Sequence, residues 1–143
     1  MNWLRWGDEI GERDQAFFDF LRKVIALRLG QPLLRQRYFL HGEPRPNGAS
    51  GVRWLRADGE QMGDEDWHQP HTRAFAMLLF SDTQKLLIVF NAHYEDIEFS
   101  LPEGFASGWR RLLDTADPAA AGDRVEGPFS ASSRTLMMLE TTA

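Results

Sequence analysis

A chain of 143 residues, 43% apolar and 12% aromatic with a net charge of −5, is long enough for one domain, or one domain plus a piece of another, and too apolar for a disordered tail. Its acidic balance lacks the clustered positive charge that nucleic acids and anionic membranes attract, so neither is expected as a partner. The absence of cysteine removes disulfides, thiolate metal sites and cysteine nucleophiles.

The first thirteen residues show no cationic region followed by an apolar run, and no apolar stretch anywhere approaches the ~20 residues that span a bilayer. A cytoplasmic protein without a membrane segment is therefore expected. Trp3 and Trp6 stand in this polar opening. They read either as core under the helix that follows or as a sugar-stacking or partner surface.

From Asp14 to Leu29 the periodicity predicts one helix. Ala16, Phe17, Phe18, Phe20, Leu21, Val24, Ile25, Leu27 and Leu29 sweep an arc of roughly 220° at 100° per residue. A helix lying on one core needs an apolar stripe of only about 100° or slightly more. This helix has apolar surface for two packing partners. A sheet from the same chain can supply one, and the second is expected from outside it. Asp8, Glu9, Glu12 and Asp14 suit the N-terminal dipole, and Gly30 with Pro32 marks the stop.

Beyond Leu33 the pattern becomes that of short strands. Leu34 to Leu40 is expected to be extended, and His41 to Gly51 is a loop by composition. A short strand over Val52 to Arg56 precedes a polar excursion, Ala57 to His71, opened by the turn pair Asp58-Gly59. Thr72 to Phe80 and Lys85 to Asn91 are apolar on both faces, as in strands covered on two sides. Glu95 to Leu101 alternates, with Ile97, Phe99 and Leu101 inward. Gly108 to Asp114 and Arg134 to Glu140 complete about seven strands, and Asp117 to Pro128 between them is loop-like. The fold class is mainly β: an antiparallel β-sandwich preceded by one long helix.

Reaction chemistry is sparse. Asp58, Glu60, Asp64, Glu65 and Asp66 do not follow a calcium-loop ladder and read as a solvated loop. His41, His68, His71 and His93 show no paired ligand spacing, so no metal is expected. There is no G-x-S-x-G and no phosphate loop, and no cofactor is expected. Trp54 and Trp109 fall on strands and read as core. Trp67, in the polar excursion, is the most exposed candidate, either stacking on a sugar ring or folded back as an anchor on the sheet.

The order of segments resembles the C-terminal end of bacterial glycogen debranching enzymes of the isoamylase type, in the α-amylase superfamily. The residues carrying the resemblance are Asn2-Trp3-Leu4-Arg5-Trp6, Leu21 to Arg28 with Pro32 to Arg35, and Val52 to Gly59. Met62 with Asp64 to Trp67, Leu87 to Ala92, Leu101-Pro102 and Trp109 to Thr115 follow. The tract from Trp54 through Trp67 is the most specific. The resemblance implies that residues 1–31 are the end of a (β/α)₈ barrel, a loop and its last helix, and that 32–143 form the C-terminal antiparallel sandwich. It gives the over-wide helix a cause, one side facing barrel strands and the other the sandwich.

The resemblance also implies hydrolysis of α-1,6 branch linkages in glycogen-like glucans by two carboxylates in a retaining scheme. Those carboxylates sit on barrel strands that would precede Met1, so no catalytic residue is carried onto this chain. Loops at the C-terminal face of such a barrel build the active site, which makes Trp3 and Trp6 the residues expected nearest substrate. The expected partners are the N-terminal catalytic barrel and, through the full enzyme, a branched α-glucan. A homodimer through the helix is the expectation where the barrel is absent. Two other readings stand beside this one: an autonomous glycan-binding module using Trp67 or the N-terminal tryptophans, and a structural or partner-binding domain with no glucan link.

Overall fold

The computed structural model describes residues 11–37, 39–40, 51–103 and 108–142. Trp3, Trp6 and His41 lie outside these residues.

Helix α1 runs from Glu12 to Gly30. Glu12 and Asp14 occupy its first turn and Arg28 its last, each matching the local sign of the helix dipole. The chain then turns directly into a 3-10 turn, Pro32–Arg35. An extended segment was expected from Leu34. The proline at the turn's first position presets a helical φ, and the turn drives Leu33 into the sheet, where it is buried.

Eight strands follow: β1 (Gly51–Leu55), β2 (Ala74–Phe80), β3 (Gln84–Asn91), β4 (Ile97–Phe99), β5 (Trp109–Asp114), β6 (Arg124–Val125), β7 (Phe129–Ala131) and β8 (Thr135–Thr142). A one-turn helix, α2 (Asp64–Trp67), interrupts the polar excursion. Six strands form one sheet in the order β1-β2-β3-β8-β5-β6, and β4 pairs with β7 in a second. Every pairing is antiparallel. The result is a sandwich of unequal layers. The stretch expected to be loop from Asp117 to Pro128 contains the two-residue strand β6 and a 3-10 turn, and β7 follows it. Strands of two or three residues carry too few alternations for a periodicity argument to detect.

The large sheet has two apolar faces, as the composition of β2 and β3 requires. On the inner face Leu55, Ala76, Leu78, Leu87, Val89, Met137 and Leu139 meet Phe99, Phe129 and Ala131 of the small sheet, with Trp109 and Val125 at one side. Ile97 and Leu101 pack against the same core, matching the expected alternation around β4. On the outer face Leu33 sits on Leu79, Leu86, Ile88 and Met138, bordered by Leu27 of α1. Trp109 is fully buried, as expected of a core tryptophan. Trp54 is only half-buried, because its side of β1 lies beyond the cover given by α1 and the 3-10 turn. Gly51 opens β1 opposite Phe80, and a Cβ there would run into the Phe80 ring. Gly59 takes a positive φ of 88° in the expected Asp58-Gly59 turn, which only glycine adopts at little cost.

Candidate functional site

No residue of α1 is buried. Phe20, Leu21, Val24 and Leu27 are half-buried, while Phe17, Phe18, Ile25 and Leu29 are 59%, 46%, 57% and 59% exposed. At 100° per residue Phe18, Ile25 and Leu29 fall within about 40° of one another. They lie roughly 100° or more from Leu27, the α1 residue that packs on the outer-face cluster. The exposed stripe therefore points away from the sheet. The wide arc expected from the sequence is present, and among the described residues Leu27 is the part of it that packs on the sandwich.

A polar clamp holds the end of α1 to the sandwich. Gln31 is buried and its amide donates to Glu140 Oε2 at 3.0 Å. Gln84 Nε2 donates to Gln31 Oε1 at 2.7 Å, and Arg110 pairs with Glu140 from the outside. A buried amide left without these partners would cost about 1–3 kcal/mol. The clamp thus ties the residue after α1 to β3 and β8, and through Glu140 to β5.

At the opposite end of the same sheet face lies an aromatic quartet. Trp54 meets Trp67 edge-on with centroids 5.5 Å apart. Phe75 lies 5.9 Å from Trp54 and 6.1 Å from Trp67, and it stacks on Phe90 at 5.1 Å. Phe75 and Phe90 are register partners across the β2–β3 hairpin. Trp67 folds back onto the sheet as an anchor, with 49% of its residue exposed. Sequence reasoning missed Phe75 and Phe90 because both sit in strands that are apolar throughout. The signal available was the short Ser81–Thr83 turn, which sets their pairing and places them on one face.

The loop carrying Trp67 is held by charge. The Arg56 guanidinium donates to Asp58 through Nη2 at 2.9 Å and Nε at 3.1 Å. Asp58 also accepts the Glu60 N–H at 3.0 Å. The Arg56 bond, then the Glu60 N–H, hold the Asp58 carboxyl below the ordinary carboxylate range, and the same partner raises Arg56. Asp66 accepts the Gly63 N–H at 2.8 Å and lies 3.6 Å from Arg56. The acidic residues expected to be a solvated loop are thus partly structural: Asp58 and Asp66 fold the excursion so that α2 delivers Trp67 to the sheet. Among the described residues no group of three or more His, Asp or Glu is placed to hold a metal. None of the described helices is long and apolar enough to cross a membrane.

The described residues form a two-layer antiparallel β-sandwich behind one long helix. A solved structure of a MUTB mutant, from crystals soaked with trehalulose, has the same fold over 87% of this chain and 18% of its own, at a TM-score of 0.51 and 19% identity. The chain belongs to the isoamylase C-terminal family, whose profile ("Isoamylase, C-terminal") matches residues 51–137. A glycogen operon protein GlgX homolog of Mycobacterium tuberculosis is 30% identical over 99% of this chain. A glycogen debranching enzyme of Yersinia pestis is 32% identical over 73% of it. The chain spans 22% of the mycobacterial relative and 14% of the Yersinia one.

Proposed function

We propose that this chain is the C-terminal part of a larger glycogen-debranching α-glucan hydrolase, and that it supports a catalytic barrel without supplying catalytic carboxylates. The observation that carries the reading is the exposed apolar stripe Phe18, Ile25, Leu29 on α1. Contiguous apolar surface of several hundred Å² is rare on a monomer and marks an interface. In this reading residues 1–31 are the end of the barrel and 32–143 the sandwich. The family match begins at residue 51, after the helix, in keeping with that division. Trp3 and Trp6 would come nearest substrate, and the protein would work in the cytoplasm on a stored branched glucan.

Four of the carboxylates have structural partners, which supports the absence of catalysis from them. Asp58 binds Arg56, Asp66 caps α2, and Asp96 accepts the Ser133 N–H. Asp114 accepts the Ala116 and Asp117 N–H groups and the Thr135 hydroxyl. Each is committed to local structure, whereas a retaining glycosidase needs two carboxyls about 5–5.5 Å apart across a substrate cleft.

Two measurements test the reading. The chain alone, incubated with a branched α-glucan, should release no linear chains; measurable release overturns the assignment. Added to the Yersinia relative truncated of its own matching segment, it should form a one-to-one complex, lost in Phe18→Asp/Ile25→Asp. Self-association instead, abolished by the same variant, would identify a second copy as the occupant. A second reading, glycan contact through Trp67, has the half-exposed ring in its favour. Loss of retardation in a glycogen gel by Trp67→Ala would support it.

A further inference from the structure

Near the same end of the sandwich, but towards its inner core, an open cleft of about 320 Å³ is lined by Arg56, Met62, Asp66, His71, Arg73 and His93. That volume is at the lower end of the ~300–1,000 Å³ typical of small-molecule sites. Buried Met62 and half-buried Ile97 give the cleft an apolar wall. Trp67 is not in it, because its ring packs on Trp54 and Phe75 of the outer face.

Three polar groups of the cleft, Arg56, Asp66 and His93, are held in place by the protein itself. Arg56 is fixed by Asp58, and Asp66 by the Gly63 N–H. His93 Nδ1 accepts the Glu95 N–H at 3.1 Å, so a neutral ring carries its proton on Nε2. The His93 N–H donates to Asn91 Oδ1 at 2.9 Å. Asn91 is buried, and its amide donates to the carbonyls of Glu95, Ala131 and Ser132. One asparagine thus locks the loop that presents His93. Groups held this way lose little freedom when a ligand arrives.

Charge selects the ligand class. Arg56 is offset by Asp58 and Asp66, which leaves Arg73 as the main cleft cation without an ion pair among the described residues. A dianion would need more cation than this. A wholly apolar ligand would leave the Arg73 and His93 side chains facing it without a ligand partner. A neutral ring with hydroxyls on its rim and C–H groups on its face meets both demands: hydroxyls donate to Asp66 and accept from Arg73 and His93, and the face lies on Met62 and Ile97.

We propose that this cleft binds one sugar ring of a neutral α-glucan chain. The polyol class comes from the cleft, and the choice of glucan rests on the function proposed above.

The test is a titration of the 143-residue chain with maltoheptaose, followed by NMR at backbone amides and histidine rings, with inorganic phosphate as the comparison. Saturable shifts at His71, Arg73 and His93 are expected. An Arg73→Ala/His93→Ala variant with an otherwise native spectrum should bind about tenfold more weakly, and Trp67→Ala should bind like wild type. The proposal is overturned by the absence of saturable shifts at those residues, by tighter binding of phosphate there, or by binding that depends on Trp67 alone. The wild-type titration decides even if the double variant does not fold. Barrel docking is read separately by complex formation through Phe18 and Ile25, so a silent titration with docking intact removes the cleft and leaves the accessory-domain reading standing.

Discussion

The two faces of the large sheet are built from the same residue types and end differently. On the inner face, Leu78, Val89, Met137 and Leu139 are closed off by Phe99, Phe129 and Trp109, most of them at 0–1% exposure. On the outer face, Leu79, Leu86 and Ile88 are buried only where Leu33 covers them, and Trp54, Phe75 and Phe90 remain half-buried. On that side the 3-10 turn supplies the cover through Leu33, and α1, which leads into it, has no buried residue. The inner face holds the domain together; the outer face is only partly covered by the described residues.

The comparison breaks most visibly at Trp109. Trp109→Ala should cost about 3–5 kcal/mol, enough to unfold much of the chain, and urea denaturation followed by circular dichroism will measure it. A loss under about 1 kcal/mol would mean the inner face does not hold the fold. Leu33→Ala on the outer face should cost less, about 2–4 kcal/mol. It should also raise hydrogen exchange along α1, because the 3-10 turn would lose its seat. Equal exchange in wild type and variant would show that Gln31 alone anchors the helix.

Phe18→Asp/Ile25→Asp should leave stability within about 0.5 kcal/mol, since neither side chain belongs to a core cluster of the described residues. A loss as large as that of Leu33→Ala would show that the stripe is covered from within.

The smallest effect is the pH dependence of the Arg56–Asp58 pair. Asp58 is depressed in the folded chain, so it contributes stability above its unfolded value and loses it as pH falls through its folded value. Because the pair is exposed, salt should weaken it. Melting temperatures of wild type and Asp58→Asn should therefore converge on acidification below the ordinary carboxylate range, and the gap should shrink at high salt. A gap independent of both would assign the stabilisation to the Glu60 turn instead.

Much of this was legible in the residues. The helix, its stop at Gly30 and Pro32, the doubly apolar β2 and β3, and the inward set Ile97, Phe99, Leu101 all follow from periodicity and turn chemistry. The 3-10 turn at Pro32 was not, because its conformation is chosen by the pocket that receives Leu33. The strands β6 and β7 were not, because two or three residues have no period. Of the tryptophans, Trp109 matched its expected burial. Trp54 did not, since strand membership does not say whether a face is covered.

The sequence alone determined which surfaces must be apolar: the cost of leaving such side chains in water is a property of the residues and their spacing. Only the tertiary structure decided which of those surfaces found a partner within the chain. Coverage depends on contacts between positions far apart in sequence: Leu33 on Ile88, Gln31 on Glu140, Trp67 on Phe75. No local pattern encodes distance in space, and so the open stripe on α1 could be suspected from one segment but located only in the fold.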